Sequence, residues 1–308
     1  MNIYNNLSDI KKIGNFVLCL GNFDGVHSGH KLLVEKAIEL ADDLNCCAGV
    51  YTFQTHSKLV LGLSNFSFIT TADEKNDILK NLGVNFVFYD NFSAVKEFSP
   101  EQFCDYLVDA GVKAVVCGEN YRFGKFACAG SAEMKDIMNN KGIICSIIPN
   151  HYVNNVGVSS TEIRRLISNG DTDSAAKLLG YRYFIETKVV HGAHLGTTLD
   201  FPTINQYIYG NKTIPSFGVY CTKCTIDGKT YNSITNVGKK PTVTNSDNAE
   251  TLFETHIIDY SGDLYGKTLK IEFYKKLRDE MKFPSLEVLR ENVLSNINEA
   301  KEYFKKEI

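Results

Sequence analysis

Short apolar runs alternate with amphipathic stretches along roughly the first 150 residues of the chain. Apolar runs bounded by turn residues are typical of buried strands, and apolar positions spaced three and four apart are typical of helices. Alternation of this kind indicates an α/β domain, with a parallel sheet covered by helices on both faces. The pattern predicts strands at residues 16–20, 46–53, 85–89, 113–117 and 143–148, and helices at 31–44, 72–82, 100–110 and 132–140.

Three helix starts carry a capping box, in which a hydroxyl residue and a Glu or Gln three positions later bond each other's backbone amides. Proline at the first helical position strengthens one of them, because a proline there loses no hydrogen bond. The predicted boxes are Thr71 with Glu74, Ser99 with Gln102 (followed by Pro100), and Ser159 with Glu162.

The pattern changes after about residue 180, where short β-like segments are separated by turn residues. Such spacing is typical of a small antiparallel barrel. A last amphipathic stretch, residues 285–304, predicts a helix that packs on the barrel through Leu286, Leu289, Val293 and Ile297. We therefore predict two domains, residues 1–180 and 181–308, joined through a short helix within 169–180. The predicted barrel strands are residues 183–191, 218–226, 229–237, 253–259 and 268–273.

Charge and composition exclude several classes of protein. The net charge is −3 and charged residues are interspersed, so no basic field is available to hold nucleic acid. No apolar stretch approaches the roughly 18 residues that cross a bilayer, so we expect no membrane partner. Nine cysteines without a dense framework, behind a polar N-terminus, indicate a cytoplasmic chain with reduced thiols. Cys221 and Cys224 form an isolated C-x-x-C in a β-like segment, where we do not expect zinc.

The segment 16–30 carries the clearest chemistry. An apolar strand runs into a loop that holds Gly21, Asn22, Asp24, His27 and His30, and an amphipathic helix follows at once. Backbone amides at a helix start attract phosphate, and glycines let the chain approach it. Two imidazoles there can donate hydrogen bonds to charge that develops on a phosphoryl group. The spacing matches neither a P-loop nor a dinucleotide fingerprint, so the loop predicts another kind of nucleotide site.

A second helix start, at residues 158–165, adds three hydroxyls and an arginine: Ser159, Ser160, Thr161 and Arg164. The ordinary interpretation is a helix cap alone. The alternative is a second anion cradle, in which hydroxyls, amides and a guanidinium hold phosphate. The histidine loop favours the second interpretation.

These two segments resemble the loops of the HxGH nucleotidyltransferases, whose domain is Rossmann-like. More closely, they resemble the N-terminal module of prokaryotic bifunctional riboflavin kinase/FAD synthetases. Residues 118–125, Gly-Glu-Asn-Tyr-Arg-Phe-Gly-Lys, look like that family's G-x-N-x-R-F-G-K loop. The resemblance implies that Asn120 and Arg122 contact nucleotide and flavin, and that Asp24 orients a histidine or a Mg²⁺-bound water.

The second half resembles the riboflavin kinases in Phe201-Pro-Thr203-Ile-Asn205 and in a series of shorter motifs that follow in the family's order. The resemblance implies ATP-dependent phosphorylation of riboflavin to FMN, followed by adenylyl transfer from a second ATP to give FAD. It implies Glu254 as the base of the kinase step, and Thr203 and Asn205 as ligands of Mg²⁺. It also implies that the segment around Gly192 and Gly196 wraps the nucleotide.

Some positions depart from the family pattern. Residues 54–57, Gln-Thr-His-Ser, lack both prolines of the flavin-side motif. Thr197 and Asp200 stand where the family commonly has Arg and Gly, which should weaken ATP binding in the kinase domain unless a lysine compensates, the candidates being Lys212, Lys239 and Lys240. Two alternatives therefore remain: a protein that retains only one of the activities, and a non-catalytic sensor of flavin or nucleotide. The expected small-molecule partners are riboflavin, FMN and ATP, and the oligomeric state stays open.

Overall fold

The computed structural model of the chain describes residues 1–55, 60, 62, 66–191, 201–208, 210–239 and 251–306. The chain divides into two compact units, Met1–Ser160 and Thr161–Ile308. Gly192, Gly196, Thr197 and Asp200, and the last two residues of the 54–57 segment, lie outside the described residues.

The first unit is built on a six-stranded, fully parallel sheet with the strand order β1-β4-β3-β2-β5-β8. Two short hairpins, β6–β7 and β9–β10, lie outside that sheet. The strands are β1 Asn2–Tyr4, β2 Phe16–Leu20, β3 Cys47–Phe53, β4 Phe86–Asp90, β5 Val112–Gly118, β6 Arg122–Phe123, β7 Ala129–Gly130, β8 Ile144–Ile148, β9 Tyr152–Val153 and β10 Val156–Gly157. The helices are α1 Leu7–Ile10, α2 Ser28–Asp43, α3 Ala72–Asn81, α4 Phe92–Val95, α5 Pro100–Ala110 and α6 Ser131–Asn140, with 3-10 turns at Lys11–Ile13 and Lys125–Ala127.

Helices cover both faces of the sheet, as the alternating pattern predicts. Along β2, Phe16, Leu18 and Leu20 pack with residues of α5 and α6, whereas Val17 and Cys19 pack with residues of α2 and α3. This alternation follows from the opposite directions of successive side chains in a strand. Two predicted capping boxes are confirmed: Thr71 with Glu74 starts α3, and Ser99 with Gln102 starts α5.

The second unit begins with two helices and continues as a nearly closed antiparallel barrel. The barrel order is β11-β16-β13-β14-β15-β12, and a backbone bridge between Val190 and Asn205 draws its two edges together. The turn Asp227-Gly228 has positive φ at both residues, as a tight hairpin between β13 and β14 requires. The elements are α7 Ser160–Ser168, α8 Thr172–Leu179, β11 Phe184–Lys188, β12 Thr203–Ile208, β13 Gly218–Ile226, β14 Lys229–Lys239, β15 Thr251–Ile257, β16 Thr268–Asp279 and α9 Leu286–Lys306.

The helix α9 packs on the outside of the barrel. Ile297, Ala300 and Phe304 of the helix are buried with Val219 and Ile234 of the strands. The prediction is confirmed for Ile297 and for Val293, which packs partly against this cluster, but it is wrong for Leu286, which is 56% exposed. Leu286 lies in the first turn of α9, and the buried residues concentrate in its C-terminal half.

The barrel interior contains a chain of buried hydroxyls. Thr222 Oγ1 lies 2.8 Å from both Ser233 Oγ and Thr235 Oγ1, and Thr235 Oγ1 lies 2.8 Å from Thr255 Oγ1. All four side chains are fully buried. The chain therefore links β13, β14 and β15 through the middle of the barrel.

Candidate active sites

The histidine loop follows β2 at the point where the strand order of the parallel sheet reverses. The strands β3 and β4 lie on one side of β2, and β5 and β8 lie on the other. Ligands of open parallel sheets bind outside the carboxyl ends of the strands at such a point. The loop with His27 after β2 and the loop with Asn120 after β5 therefore share this edge of the sheet.

His27 caps the helix α2 with its own side chain. Its Nδ1 accepts a hydrogen bond from the backbone amide of His30 over 3.2 Å. Because an accepting Nδ1 carries no proton, the neutral ring carries its proton on Nε2, where it can be donated. Gly29 gives the ring room, since a Cβ at that position would lie 3.3 Å from His27 Nδ1, which is closer than most Cβ contacts.

The ring of His30 stacks on that of His27, with 3.6 Å between centroids and 13° between planes, and lies 4.9 Å from the ring of Phe23. Burial is the main cause that lowers the pKa of His30 well below its usual range, and the neighbouring His27 and Lys75 lower it further. His30 is therefore neutral at physiological pH. Its buried Nδ1 has no hydrogen-bond partner among the described residues, and the same holds for Oδ1 of Asn22. Buried polar atoms are normally paired, so two such atoms on one loop indicate a place for a ligand.

Asp24 holds the loop from inside. Its carboxylate is almost fully buried and accepts from the backbone amides of Ile69 over 2.9 Å and Thr70 over 3.4 Å. These bonds fix the loop against the segment that precedes α3. The expected action of Asp24 on a histidine or on a hydrated Mg²⁺ stays a prediction.

The hydroxyl segment reaches the same loop. Ser160 Oγ donates to the backbone carbonyl of Asp24 over 2.8 Å. Ser159 immediately precedes α7, and Thr161 and Arg164 lie further along that helix. The structure thus brings Ser160 to the histidine loop, and the expected contacts of the other three residues with phosphate stay predictions.

Arg122 is engaged with its own loop. Its Nε and Nη2 both donate to the carbonyl of Ala127, over 3.1 and 2.9 Å. The guanidinium therefore closes the segment between β6 and β7. The contacts of Arg122 and Asn120 with nucleotide and flavin stay predictions.

Sequence reasoning missed Lys75, which lies in the first turn of α3. Its Nζ donates to the backbone carbonyl of Asn22 over 3.2 Å and lies 5.6 Å from the ring centroid of Tyr89. Burial lowers the pKa of Lys75 to about 8, against the opposing charge of Asp24. The available sequence signal was a lysine in the first turn of a helix, where the helix dipole disfavours a cation.

In the barrel, strand register gathers the predicted kinase residues. Glu254 of β15 pairs with Asn205 of β12 on one side and with Asn236 of β14 on the other. Side chains of directly paired residues lie on the same face of a sheet. Asn236 Nδ2 donates to Glu254 Oε2 over 3.4 Å, so the carboxylate lies between two amides.

Thr203 lies two residues before Asn205 on β12, and therefore on the same face. The hydroxyl, amide and carboxylate oxygens of Thr203, Asn205 and Glu254 are the kinds of ligand that Mg²⁺ prefers, so this donor set fits the ion. Next to it, Gly238 leaves room for Glu280, whose Oε1 lies 2.6 Å from the place a Cβ would occupy. The described face thus combines oxygen ligands with a second carboxylate.

No cluster of three His, Cys, Asp or Glu side chains suited to a metal occurs among the described residues. Cys221 and Cys224 are buried cysteines of β13 that form no disulfide, and their odd spacing directs them to opposite faces of the strand.

A parallel sheet with a histidine-capped loop at its reversal point, followed along the chain by a barrel with an oxygen-lined acidic face, is the architecture of a two-domain transferase that uses nucleotides. The family model described as FAD synthetase matches residues 9–162, and the one described as riboflavin kinase matches residues 179–304. The chain belongs to the family of bifunctional riboflavin kinase/FMN adenylyltransferases, as the similarity of its relatives over most of their length also shows.

Among these relatives, the bifunctional riboflavin kinase/FMN adenylyltransferase of Bacillus subtilis is 33% identical over 94% of this chain and 92% of the relative. That of Listeria monocytogenes is 31% identical over 95% and 93%. A crystal structure described as a macrolide-efflux protein from Streptococcus pneumoniae shares the fold, with a TM-score of 0.86, 28% identity and 97% of each chain covered. Within the described part of this chain, no helix has both the length and the apolar character needed to cross a bilayer.

Proposed function

We propose that this chain makes FAD from riboflavin in two ATP-dependent steps, the first on the barrel and the second at the edge of the parallel sheet. Family membership supports the pair of activities. The observation that carries the assignment to two sites is that the two models match separate stretches, and each stretch contains one of the two residue groups described above. We further propose the domain boundary near residue 180, between the two matched stretches.

In the kinase step, the 5′-hydroxyl of the ribityl chain attacks the γ-phosphorus of ATP. Glu254 accepts the hydroxyl proton as the new O–P bond forms, and ADP leaves with the electrons of the broken bond. Asn236 orients the carboxylate through its amide. Thr203 and Asn205 would hold Mg²⁺, which neutralises phosphate charge when bound.

In the adenylyl transfer, a phosphate oxygen of FMN attacks the α-phosphorus of a second ATP, and pyrophosphate leaves. A phosphate monoester is already a nucleophile, so the site needs to align two anions and stabilise the charge that develops. The neutral rings of His27 and His30 suit this task because they can donate hydrogen bonds from a loop that is partly shielded from solvent. Ser159, Ser160, Thr161 and Arg164 are assigned to the β- and γ-phosphates.

We also place the protein in the cytoplasm, with riboflavin, FMN and ATP as its partners. None of the nine cysteines forms a disulfide, which agrees with a reducing compartment.

A product assay tests the proposal. The purified chain is incubated with riboflavin, ATP and Mg²⁺, and the flavins are separated by chromatography. FAD supports both steps at once. Accumulation of FMN without FAD would show that only the kinase activity is retained. FAD formed from added FMN but not from riboflavin would show that only the transferase activity is retained. Unchanged riboflavin and FMN would indicate a sensor. Omitting Mg²⁺ and adding a chelator should abolish both products.

A further inference from the structure

The residues 69–75 form a cradle around the histidine loop. Thr70 and the residue before it donate to the Asp24 carboxylate, and Thr70 Oγ1 accepts from the amide of Gly25 over 3.1 Å. Lys75 then reaches the carbonyl of Asn22 over 3.2 Å. The loop is thus held at Asn22, Asp24 and Gly25 by one segment, in which Lys75 is the cationic side chain.

Lys75 has hydrogen-bonding capacity to spare. An ammonium carries three N–H donors. Among the described residues, only the carbonyl of Asn22 accepts from Lys75, and its further contact is with the ring face of Tyr89. Holding a charged group away from water with open donors is costly, and an anionic ligand would remove that cost.

Two neighbouring atoms are open in the same way. Asn22 Oδ1 and His30 Nδ1 are buried and lack hydrogen-bond partners in the described part of the chain. The charge of Lys75 also acts on His30, where it helps to lower the pKa of the imidazole. The Lys75 ammonium, the Asn22 amide and the His30 imidazole therefore form one group around the loop. Each has hydrogen-bonding capacity that no described residue uses.

We propose that Lys75 is a further residue of the adenylyl-transfer site, where its ammonium binds a phosphate group of ATP or FMN while it holds the loop through Asn22. The inference rests on the proposed function of the His27 and His30 loop. A lysine is a compact charge that suits phosphate oxygens without demanding one geometry. Bound phosphate would in turn keep the ammonium charged.

The charge state of Lys75 gives the proposal a pH signature. The value of kcat/KM reports ionisations of the free enzyme. Lys75, with its pKa of about 8, loses its charge in the range of ordinary assays, and anion binding should weaken as it does. Other groups that face it titrate elsewhere: burial holds the pKa of His30 well below its usual range and raises that of Tyr89 to about 12. The remaining neighbours are His27, which caps α2, Asp24 on the loop, and Asp73 and Glu74 on α3 itself.

The test compares three variants of the full chain: Lys75→Met, Lys75→Arg and, as a matched control, Lys80→Met. Lys80 is an exposed lysine of the same helix. FAD formation from FMN and ATP is measured from about pH 6.5 to 9.5, with each substrate varied in turn, and phosphorylation of riboflavin is followed in the same preparations. The separate KM values for ATP and FMN show which phosphate Lys75 binds.

In the wild type, kcat/KM for adenylyl transfer should fall above about pH 8. Lys75→Met should lower it about 10- to 100-fold at pH 7, as for a lost hydrogen bond to a charged group, and should abolish the fall above pH 8. Lys75→Arg should keep most of the kcat/KM at pH 7 and should not lose it above pH 8, because the guanidinium stays charged. Lys80→Met and the kinase step should not respond.

If the wild type makes FAD and the kcat/KM of Lys75→Met for adenylyl transfer is within twofold of that of Lys80→Met, the inference is wrong. The proposed function would remain intact. Should Lys75→Met fail to fold, the arginine variant decides: activity that falls above pH 8 as in the wild type excludes a role for the charge. A wild type that makes no FAD from FMN and ATP would instead contradict the proposed function itself.

Discussion

The imidazole rings of His27 and His30 lie 3.6 Å apart and nearly parallel, and the backbone amide of the second donates to the ring of the first. Two stacked cations at that distance would repel, so the arrangement favours neutral rings. A neutral pair at the start of a helix can donate to phosphate without fixing a permanent charge there. The geometry therefore suits the stabilisation of negative charge that develops on a phosphoryl group only during the reaction.

Replacing His30 by alanine tests that conclusion. Adenylyl transfer should fall by about two to three orders of magnitude, as expected when a donor to the transition state is lost. FMN formation should stay near normal, because the proposed kinase residues belong to the other unit. Both rates are measured by chromatography of the same reaction. FAD synthesis within threefold of the wild type would exclude His30 from the reaction.

Glu254→Gln keeps the size of the side chain and removes its basicity. Phosphorylation of riboflavin should fall by about 10²- to 10⁴-fold, the usual contribution of a general base, while FAD formation from supplied FMN is retained. Glu186→Gln removes an exposed carboxylate from β11 of the same barrel and should have little effect. Equal kinase rates in the two variants would show that Glu254 is not the base.

Gln206 joins the two edges of the barrel. Its Nε2 donates to the carbonyls of Thr187 over 2.7 Å and Leu269 over 2.9 Å. Gln206→Leu has a similar volume but removes both of these hydrogen bonds, so the free energy of unfolding should fall by about 1–3 kcal/mol. Denaturant unfolding measures the change, with Thr268→Val at an exposed position of β16 as the control. Unchanged stability would mean that these bonds contribute nothing net.

Two fragments test the proposed domain boundary. Residues 181–308 should fold and phosphorylate riboflavin but make no FAD, and residues 161–308 should do the same with a higher melting temperature. The longer fragment retains α8, whose buried Thr172 donates to the carbonyl of Tyr274 over 2.9 Å. If only the longer fragment folds, the boundary near residue 180 is wrong and lies nearer to residue 160.

Local pattern was sufficient for most of the architecture. The predicted start of α5 and the predicted strand 218–226 coincide with the structure because proline, caps and turn residues mark them directly. The strand β12 was missed, although its motif was recognised. Its inward-facing residues include Gln206, paired with Phe253, and a polar residue at an inward position breaks the alternation that predicts a strand.

The candidate sites divide in the same way. His27 and His30 stand out in sequence because they are close along the chain, and Glu254 and Asn205 were found through resemblance. Lys75 lies 45 residues beyond His30 and meets its loop only after the chain has folded. Apart from its place in the first turn of a helix, nothing local distinguishes it from an exposed lysine such as Lys80. Such contacts depend on tertiary structure, which periodicity does not encode.

The hydroxyl chain inside the barrel restricts how its sequence can evolve. Ser233, Thr222, Thr235 and Thr255 bond in that linear order across three strands. Loss of the Thr222 or the Thr235 hydroxyl removes the bond that Ser233 or Thr255, at the end of the chain, makes within it, whereas exchanging all four for apolar groups of similar shape leaves no hydroxyl unpaired. Single substitutions of Thr222 or Thr235 should therefore be selected against, and an apolar interior is reached most easily through several changes made together.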